Sequence, residues 1–355
     1  MIDIQKNVNL AEYSTMRLGG YAKYLVIISS EYELIEALVY AENNHLKTHV
    51  VGGGSNSIFS SDGYEGLIII NRILGIEEAY EDGAMNLTIG AGEDWDGIVE
   101  LSVSKGYADI ASLSLIPGTV GAAPIQNIGA YGQQVSDILV STRAYDKKNK
   151  SFVEISNEDC DFTYRGSRFN NADKNRFIIT SVKLQLSRKT VSPPFYADIS
   201  KYFSEKNIDE FKVTATQLRQ ATSEVRVVKL PDPTDVASCG SFFKNPVISL
   251  SDFIELERNH PYINELPKGW PQLPYWKLPN DKVKIAAGWL LDQCGLKDFQ
   301  DKNTGMATWK NQALVVVNES AKTTDDLIDF KKLIVSEVEK KFKIILQQEH
   351  EMVEA

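Results

Sequence analysis

A chain of 355 residues, 43% of them apolar, exceeds one comfortable core and has material for two or three domains. Its formal net charge of −10, without a basic block, argues against nucleic acid as a partner, so an anionic ligand must be met by a local cationic site. Three scattered cysteines (Cys160, Cys239, Cys294), an N-terminal stretch without a signal pattern and no apolar run approaching ~20 residues predict a cytoplasmic protein with no membrane segment.

In chain order, residues 24–28 read as a strand. Ser30 stands three before Glu33, a capping-box spacing, and Leu34, Leu38 and Ala41 line one face of the helix that follows. A second strand, 48–51, runs straight into Gly52-Gly-Gly-Ser-Asn56. Successive N–H groups in such a turn form an anion-binding nest. The G-x-G-x-x-G spacing is absent and the glycines follow the second strand, which argues against a nicotinamide Rossmann domain. Strands are predicted at 67–71 and 86–90. A helix then carries Trp95, Ile98, Val99 and Val103 and is closed by Gly106.

The next segment is the most informative one: Pro117-Gly-Thr-Val-Gly-Ala-Ala123, followed by Asn127, Gly129 and Gly132. Core elements do not carry so many glycines, because each costs chain entropy and packs nothing. A backbone approached closely by a bulky ligand does. Two such elements, about sixty residues apart, suggest one long phosphate-bearing cofactor gripped at two places.

Strands near 138–146, 151–155 and 177–186 follow, with Lys147-Lys-Asn-Lys150 as a hairpin turn. Composition changes at Val191-Ser-Pro-Pro-Phe-Tyr196, and a domain boundary is predicted in the polar stretch after it. Residues 214–229 then read as a helix stopped by Pro231, and 284–292 as another. A strand is predicted at 313–317, a helix at 324–342 with Leu327, Phe330, Ile334 and Val338 inward, and a last strand at 343–346. Segment 259–282, with five prolines, Trp270 and Trp276, reads as a loop over a surface.

Chemistry concentrates in four further places: Cys239-Gly-Ser-Phe-Phe-Lys-Asn-Pro246, Phe162-Thr-Tyr-Arg-Gly-Ser-Arg-Phe169, Arg226-Val-Val-Lys229, and Glu349 after the last strand. The four histidines show no ligand spacing, so no metal site is expected. Each feature has a plain reading when taken alone. Ser241 could be a turn or capping residue, Tyr164 and Arg165 a surface cation–π pair, Lys229 a helix-end charge, and Glu349 a solvated one. Cys239 reads as a small buried filler.

Taken together and in this order, Val51-Gly-Gly-Gly-Ser-Asn56, the segment 116–132, Tyr164-Arg165 and Gly240-Ser-Phe-Phe-Lys-Asn-Pro246 resemble the UDP-N-acetylenolpyruvoylglucosamine reductase family, from about Tyr13 to Glu349. The resemblance implies an α/β (α+β) fold: a two-lobed FAD-binding domain of the vanillyl-alcohol-oxidase type over residues 1–205, with lobes of about 1–72 and 73–205, and an α+β substrate-binding domain over 206–355. It implies non-covalent FAD held through Gly52, Gly53, Gly54, Ser55, Asn56, Pro117, Gly118, Gly121, Ala122, Asn127, Gly129 and Tyr131. NADPH is the implied co-substrate, and UDP-N-acetylglucosamine enolpyruvate the implied substrate, reduced to UDP-N-acetylmuramate in peptidoglycan precursor synthesis.

By the same resemblance Arg165 and Glu349 meet the charge that develops on the pyruvyl carboxylate, and Ser241 donates the proton. Tyr131, Tyr164, Tyr196, Arg226, Lys229, Asn245 and Gln312 are the implied substrate contacts. Tyr196 and the long loop at 259–282 look like the subgroup that closes a tyrosine-bearing loop over the nucleotide. A monomer is favoured.

One departure stands out. The family usually has an arginine two residues after the terminal glutamate, where this chain has Glu351, a like charge that could raise the proton affinity of Glu349. Two other readings follow from different classes: another FAD oxidoreductase of the same fold, or a non-catalytic UDP-sugar-binding relative. The first often carries a histidine for covalent flavin attachment, and neither glycine-rich loop has one.

Overall fold

A computed structural model describes residues 2–188, 191–260 and 272–354. The first lobe is a four-stranded sheet in the order Gln5–Asn9, Tyr21–Ile28, Tyr64–Asn71, Thr48–Val51, antiparallel at the first pairing and parallel at the other two. Helix α1 (Glu31–Asn43) covers one face. The strand Tyr64–Asn71 carries an unbroken apolar run because both its faces are covered: Leu67 and Ile69 join the core under α1, Ile68 and Ile70 the core on the other side. At the start of α1, Ser30 accepts from the Glu33 N–H, while the Glu33 carboxylate reaches back to Ser29, one residue before the expected position.

The second lobe is a five-stranded antiparallel sheet in the order Ser151–Ser156, Leu139–Asp146, Phe177–Leu186, Ala84–Gly90, Ile76–Glu81. Helix α2 (Trp95–Ser104) buries Trp95, Ile98, Val99 and Val103, and Gly106 takes a positive φ of 86° just past its end. Arg143 of this lobe holds Glu31 at the head of α1 through two hydrogen bonds of 2.8 and 3.0 Å, and Thr180 donates to the same carboxylate.

The expected boundary at residue 205/206 needs correction. Helices α3 (Ala197–Glu205) and α4 (Ala215–Lys229) both bury their apolar faces in the second-lobe core, α4 against α2, through Ile199, Phe203, Leu218 and Ala221. After α4 the chain next joins the C-terminal core at the strand Ala237–Ser241, a core to which Met16, Leu18 and Ile58 of the first lobe also contribute. Composition marked the polar linker, but α4's amphipathic stripe carried no sign of which core it would join.

The C-terminal unit has an antiparallel sheet in the order Ala237–Ser241, Gln312–Asn318, Met306–Trp309, Gln300–Asp301, and a second of Val247–Ser249, Lys282–Ile285 and Tyr275–Leu278. Helices α5 (Leu250–Asn259), α6 (Ala287–Gln293) and α7 (Thr324–Phe342) pack around them. In α7, Leu327, Phe330, Ile334 and Val338 point inward.

Three predicted elements differ. Residues 282–285 are a strand, laddered to Val247–Ser249, so the helix begins only at Ala287, and Tyr275–Leu278 is a strand where a loop was expected. Trp270 lies outside the described residues. The last strand is Glu351–Val353, not 343–346: Lys343 ends α7 at φ 60°, and the chain then crosses to pair, in parallel, with Ser57–Phe59 of the first lobe. That crossing delivers Glu349 to the lobe carrying the triple glycine. Among the described residues no helix is long and apolar enough to cross a membrane.

Candidate active site

The two glycine-rich loops are in contact. A Cβ on Gly53 would stand 2.8 Å from Gly118 Cα, one on Gly52 would stand 2.3 Å from Thr119 Oγ1, and the Ser55 hydroxyl donates to the Pro117 carbonyl at 3.1 Å. Among the described residues, none of the N–H groups of Gly53, Gly54, Ser55 and Asn56 donates to another backbone group. The loops therefore form one concave wall with free donors, a nest for an anion. Gly121 has another reason to be glycine: its Cβ would meet Ala91 Cβ at 2.5 Å, so it permits packing and not ligand approach.

This wall closes one side of a cavity of about 220 Å³, which is also lined by Trp95, Gly129, Arg165, Arg226, Ser241 and Glu349. Tyr164 and Arg165 are the two central residues of a tight turn closed by Thr163 and Gly166, with Arg165 at φ 54°. Such a φ is strained for a residue with a side chain and is held by its surroundings. Arg165 Nη2 donates to the Gly129 carbonyl at 2.9 Å, and its Nε lies 3.0 Å from a Glu349 carboxylate oxygen. That second contact is an ion pair by distance only, because the Nε–H is not aligned for a hydrogen bond.

Burial raises the proton affinity of Glu349, although Arg165 and Lys244 pull the other way. Glu351 takes no part in this. Its carboxylate pairs with Lys174 at 3.0 Å, which corrects the expectation that it acts on Glu349.

Ser241 is aimed by a β-bulge. The ladder between Ala237–Ser241 and Gln312–Asn318 shifts register between Ser238 and Ser241, and Gly240 supplies φ 78° there. Phe242 and Phe243, both buried and packed edge to face at 5.1 Å, anchor the motif in the C-terminal core. His350 is buried, with its proton affinity pushed down to about 4, so it is neutral and its Nε2–H donates to the Cys239 carbonyl at 2.8 Å. One bond thus joins the neighbour of Glu349 to the strand bearing Ser241. Burial pushes the Cys239 thiol up to about 11, which makes it a filler.

The remaining expected contacts divide. Arg226 lines the cavity, with its Nε buried and without a partner and its Nη2 donating to Leu115. Tyr164 lies between the Arg165 guanidinium, 5.4 Å from its ring, and the Lys284 ammonium, 4.7 Å away. Tyr131 and Tyr196 meet edge to face at 5.8 Å, outside the cavity wall. Asn127 is spent on the fold: its amide donates to Gln134 and Thr163 and accepts from Ser136. Lys229 pairs with Asp198 of α3, and Asn245 accepts the first N–H of α6 at 2.9 Å. Gln312 sits against Gly288 and Leu314, away from the cavity. Residues such as Lys244, Lys284 and His350 come to the site through long-range pairing that has no local signature.

A nest with free N–H donors, the buried unpartnered Asn56 Oδ1 and Arg226 Nε, and an acid–cation pair beyond them fit a long anionic cofactor with a reacting end. A model of an FAD-binding domain matches residues 22–155, so the class is that of FAD-binding proteins. The C-terminal domain of UDP-N-acetylenolpyruvoylglucosamine reductase matches residues 232–353. Over 341 residues the chain is 34% identical to the UDP-N-acetylenolpyruvoylglucosamine reductase of Pasteurella multocida, covering 96% of this chain and 94% of that one. It is 36% identical to that of Neisseria gonorrhoeae over 350 residues, covering 98% and 97%. The chain belongs to the UDP-N-acetylenolpyruvoylglucosamine reductase family. The crystal structure of the Thermus caldophilus enzyme shares its fold, with a TM-score of 0.65 at 20% identity over 99% of both chains.

Proposed function

We propose that the protein reduces the enolpyruvyl ether of UDP-N-acetylglucosamine enolpyruvate to the lactyl ether, giving UDP-N-acetylmuramate for peptidoglycan. The observation that carries this is the meeting of Arg165, Ser241 and Glu349, from three distant parts of the chain, in the cavity walled by both glycine-rich loops. When bound, FAD supplies hydride relay from NADPH to the substrate's double bond. Gly53, Gly54, Ser55 and Asn56 would hold its phosphates through their N–H groups.

Arg165 meets the pyruvyl carboxylate, where negative charge grows as the hydride arrives; its strained turn and its bond to Gly129 fix the guanidinium beforehand, so no reorganisation is needed in the transition state. Ser241 gives its hydroxyl proton to the neighbouring carbon, completing the addition of one hydride and one proton across the C=C bond. Burial raises the proton affinity of Glu349, and in its protonated form it donates toward the same carboxylate. Arg226, Lys229, Asn245, Tyr164 and Tyr196 serve the nucleotide end, with Gln312 as a more distant candidate.

The FAD-binding unit is read as extending through α4, with the substrate unit beginning near residue 232. Three free cysteines suit a cytoplasmic enzyme. The test is colour. The purified protein should be yellow, be bleached by NADPH, and regain its colour under nitrogen when UDP-N-acetylglucosamine enolpyruvate is added. A colourless protein, or one re-oxidised only by oxygen, would overturn the reading.

A further inference from the structure

The bulge that aims Ser241 interrupts its own ladder. Ser238 pairs with Val317 and Ser241 with Val315, so Cys239 and Gly240 fall in the register break without ladder partners. The Gly240 N–H turns to the Ser238 hydroxyl at 3.1 Å. A Cβ on Gly240 would meet nothing within 4 Å, so no neighbour packs against the bulge at that point. The stretch before the serine therefore needs a tie from elsewhere.

The segment carrying Glu349 runs beside the serine motif and supplies it. After Ser241 the tie is backbone to backbone: the Lys244 N–H donates to the Gln347 carbonyl at 2.8 Å and the Glu349 N–H to the Phe242 carbonyl at 2.9 Å. Before Ser241 the His350 side chain takes over, with its Nε2–H on the Cys239 carbonyl at 2.8 Å. A carbonyl can only accept, so Nε2 carries the ring proton and the buried Nδ1 is a bare acceptor, without a partner among the described residues. The ring lies against Phe242, 5.4 Å between centroids. One residue further on, the Glu351 N–H donates to the Asn56 carbonyl at 2.9 Å, so the backbone that bears the ring is held by the first glycine-rich loop.

We infer that His350 is a positioning residue for the reaction: its bond to the Cys239 carbonyl sets where the Ser241 hydroxyl stands relative to Glu349 and to the first glycine-rich loop. The inference rests on the reading of Ser241 as the proton donor. Gly240, at φ 78°, is the point where the strand before the serine can turn most freely. The imidazole closes that freedom from the opposite segment. A donor displaced by about 1 Å can lose on the order of 10²-fold in rate, so one side-chain bond behind the reacting hydroxyl has a large effect.

The experiment compares His350→Leu, His350→Met and His350→Gln by stopped flow, each checked for melting temperature and flavin content. Leucine and methionine fill the space without a donor; glutamine keeps an N–H within reach of the Cys239 carbonyl and removes Nδ1. Reduction by NADPH delivers no proton to the substrate and should stay within about twofold of wild type in all three. Re-oxidation by saturating UDP-N-acetylglucosamine enolpyruvate should slow by about 10–100-fold in the leucine and methionine variants, at an unchanged half-saturating concentration. The glutamine variant should recover to within about threefold of wild type. Because the effect runs through Ser241, adding His350→Leu to Ser241→Ala should slow re-oxidation by less than about twofold more.

Wild-type re-oxidation in the leucine and methionine variants, no recovery with glutamine, or a full further loss in the double variant would overturn the inference. So would equal slowing of both half-reactions, or failure of both apolar variants to fold, since the histidine would then serve stability alone. If Ser241→Ala by itself re-oxidised at the wild-type rate, the reading of Ser241 would fall, and this inference with it. If Ser241→Ala were slow while the apolar His350 variants were not, only the positioning role would fall.

Discussion

Arg165 Nε lies 3.0 Å from Glu349, a pair that joins a strained turn of the second lobe to the segment by which the C-terminus returns to the first. Neither residue is well solvated, and burial dominates the carboxyl, raising its proton affinity despite the guanidinium. An acid of this kind is protonated at low pH and loses its proton at a pH above the usual carboxylate range.

A first prediction follows. Single-turnover re-oxidation of the reduced protein by its substrate should slow on the alkaline side as Glu349 ionises. Glu349→Gln, which can donate but cannot ionise, should be slower overall and lack that limb. Glu351→Arg should leave the limb in place, since Glu351 is engaged with Lys174. A pH–rate profile of the three proteins checks this; an unchanged limb in Glu349→Gln would remove the residue from the mechanism.

His350 gives a second prediction. Folded, its proton affinity is depressed to about 4; unfolded, it titrates near 6.5. Between these values the unfolded chain binds a proton that the native state refuses, so stability is full above about pH 6.5 and falls as pH drops toward 4. The integrated loss is on the order of 3 kcal/mol. Denaturant titrations of wild type and His350→Gln over this range should show a shallower decline in the variant. Parallel curves would contradict the burial argument.

The glycine loops supply a third. Gly53→Val must push Gly118 away and so part the two loops, lowering FAD content. Gly121→Val meets Ala91 instead and should destabilise by about 1–3 kcal/mol, as overpacking does, with any loss of FAD following the loss of fold. Melting temperature and flavin-to-protein ratio, measured together, distinguish the two. A Gly53→Val protein with full flavin content and wild-type stability would mean the loops do not form the cofactor wall.

Local rules made much of this molecule readable. The buried stripes of α2 and α7 and the strand run 67–71 are set by neighbours in sequence. The glycines of the two loops announced a close approach, though what approaches Gly52 and Gly53 is the other loop. What escaped was long-range. Nothing near residue 351 says that it pairs with residue 57, nothing in α4 says which core it joins, and nothing local links His350 to Cys239. Asn127 looked like a ligand because it sits among glycines, but its amide is consumed by three partners in the fold.

The most direct test is stopped-flow on Ser241→Ala. Flavin reduction by NADPH delivers no proton to the sugar nucleotide, so that half-reaction should proceed at close to the wild-type rate. Re-oxidation by UDP-N-acetylglucosamine enolpyruvate should slow by about 10²–10⁴-fold, the range expected when a positioned proton donor is removed. Equal slowing of both halves, or of neither, would contradict the assignment of Ser241 as the proton donor in this cavity.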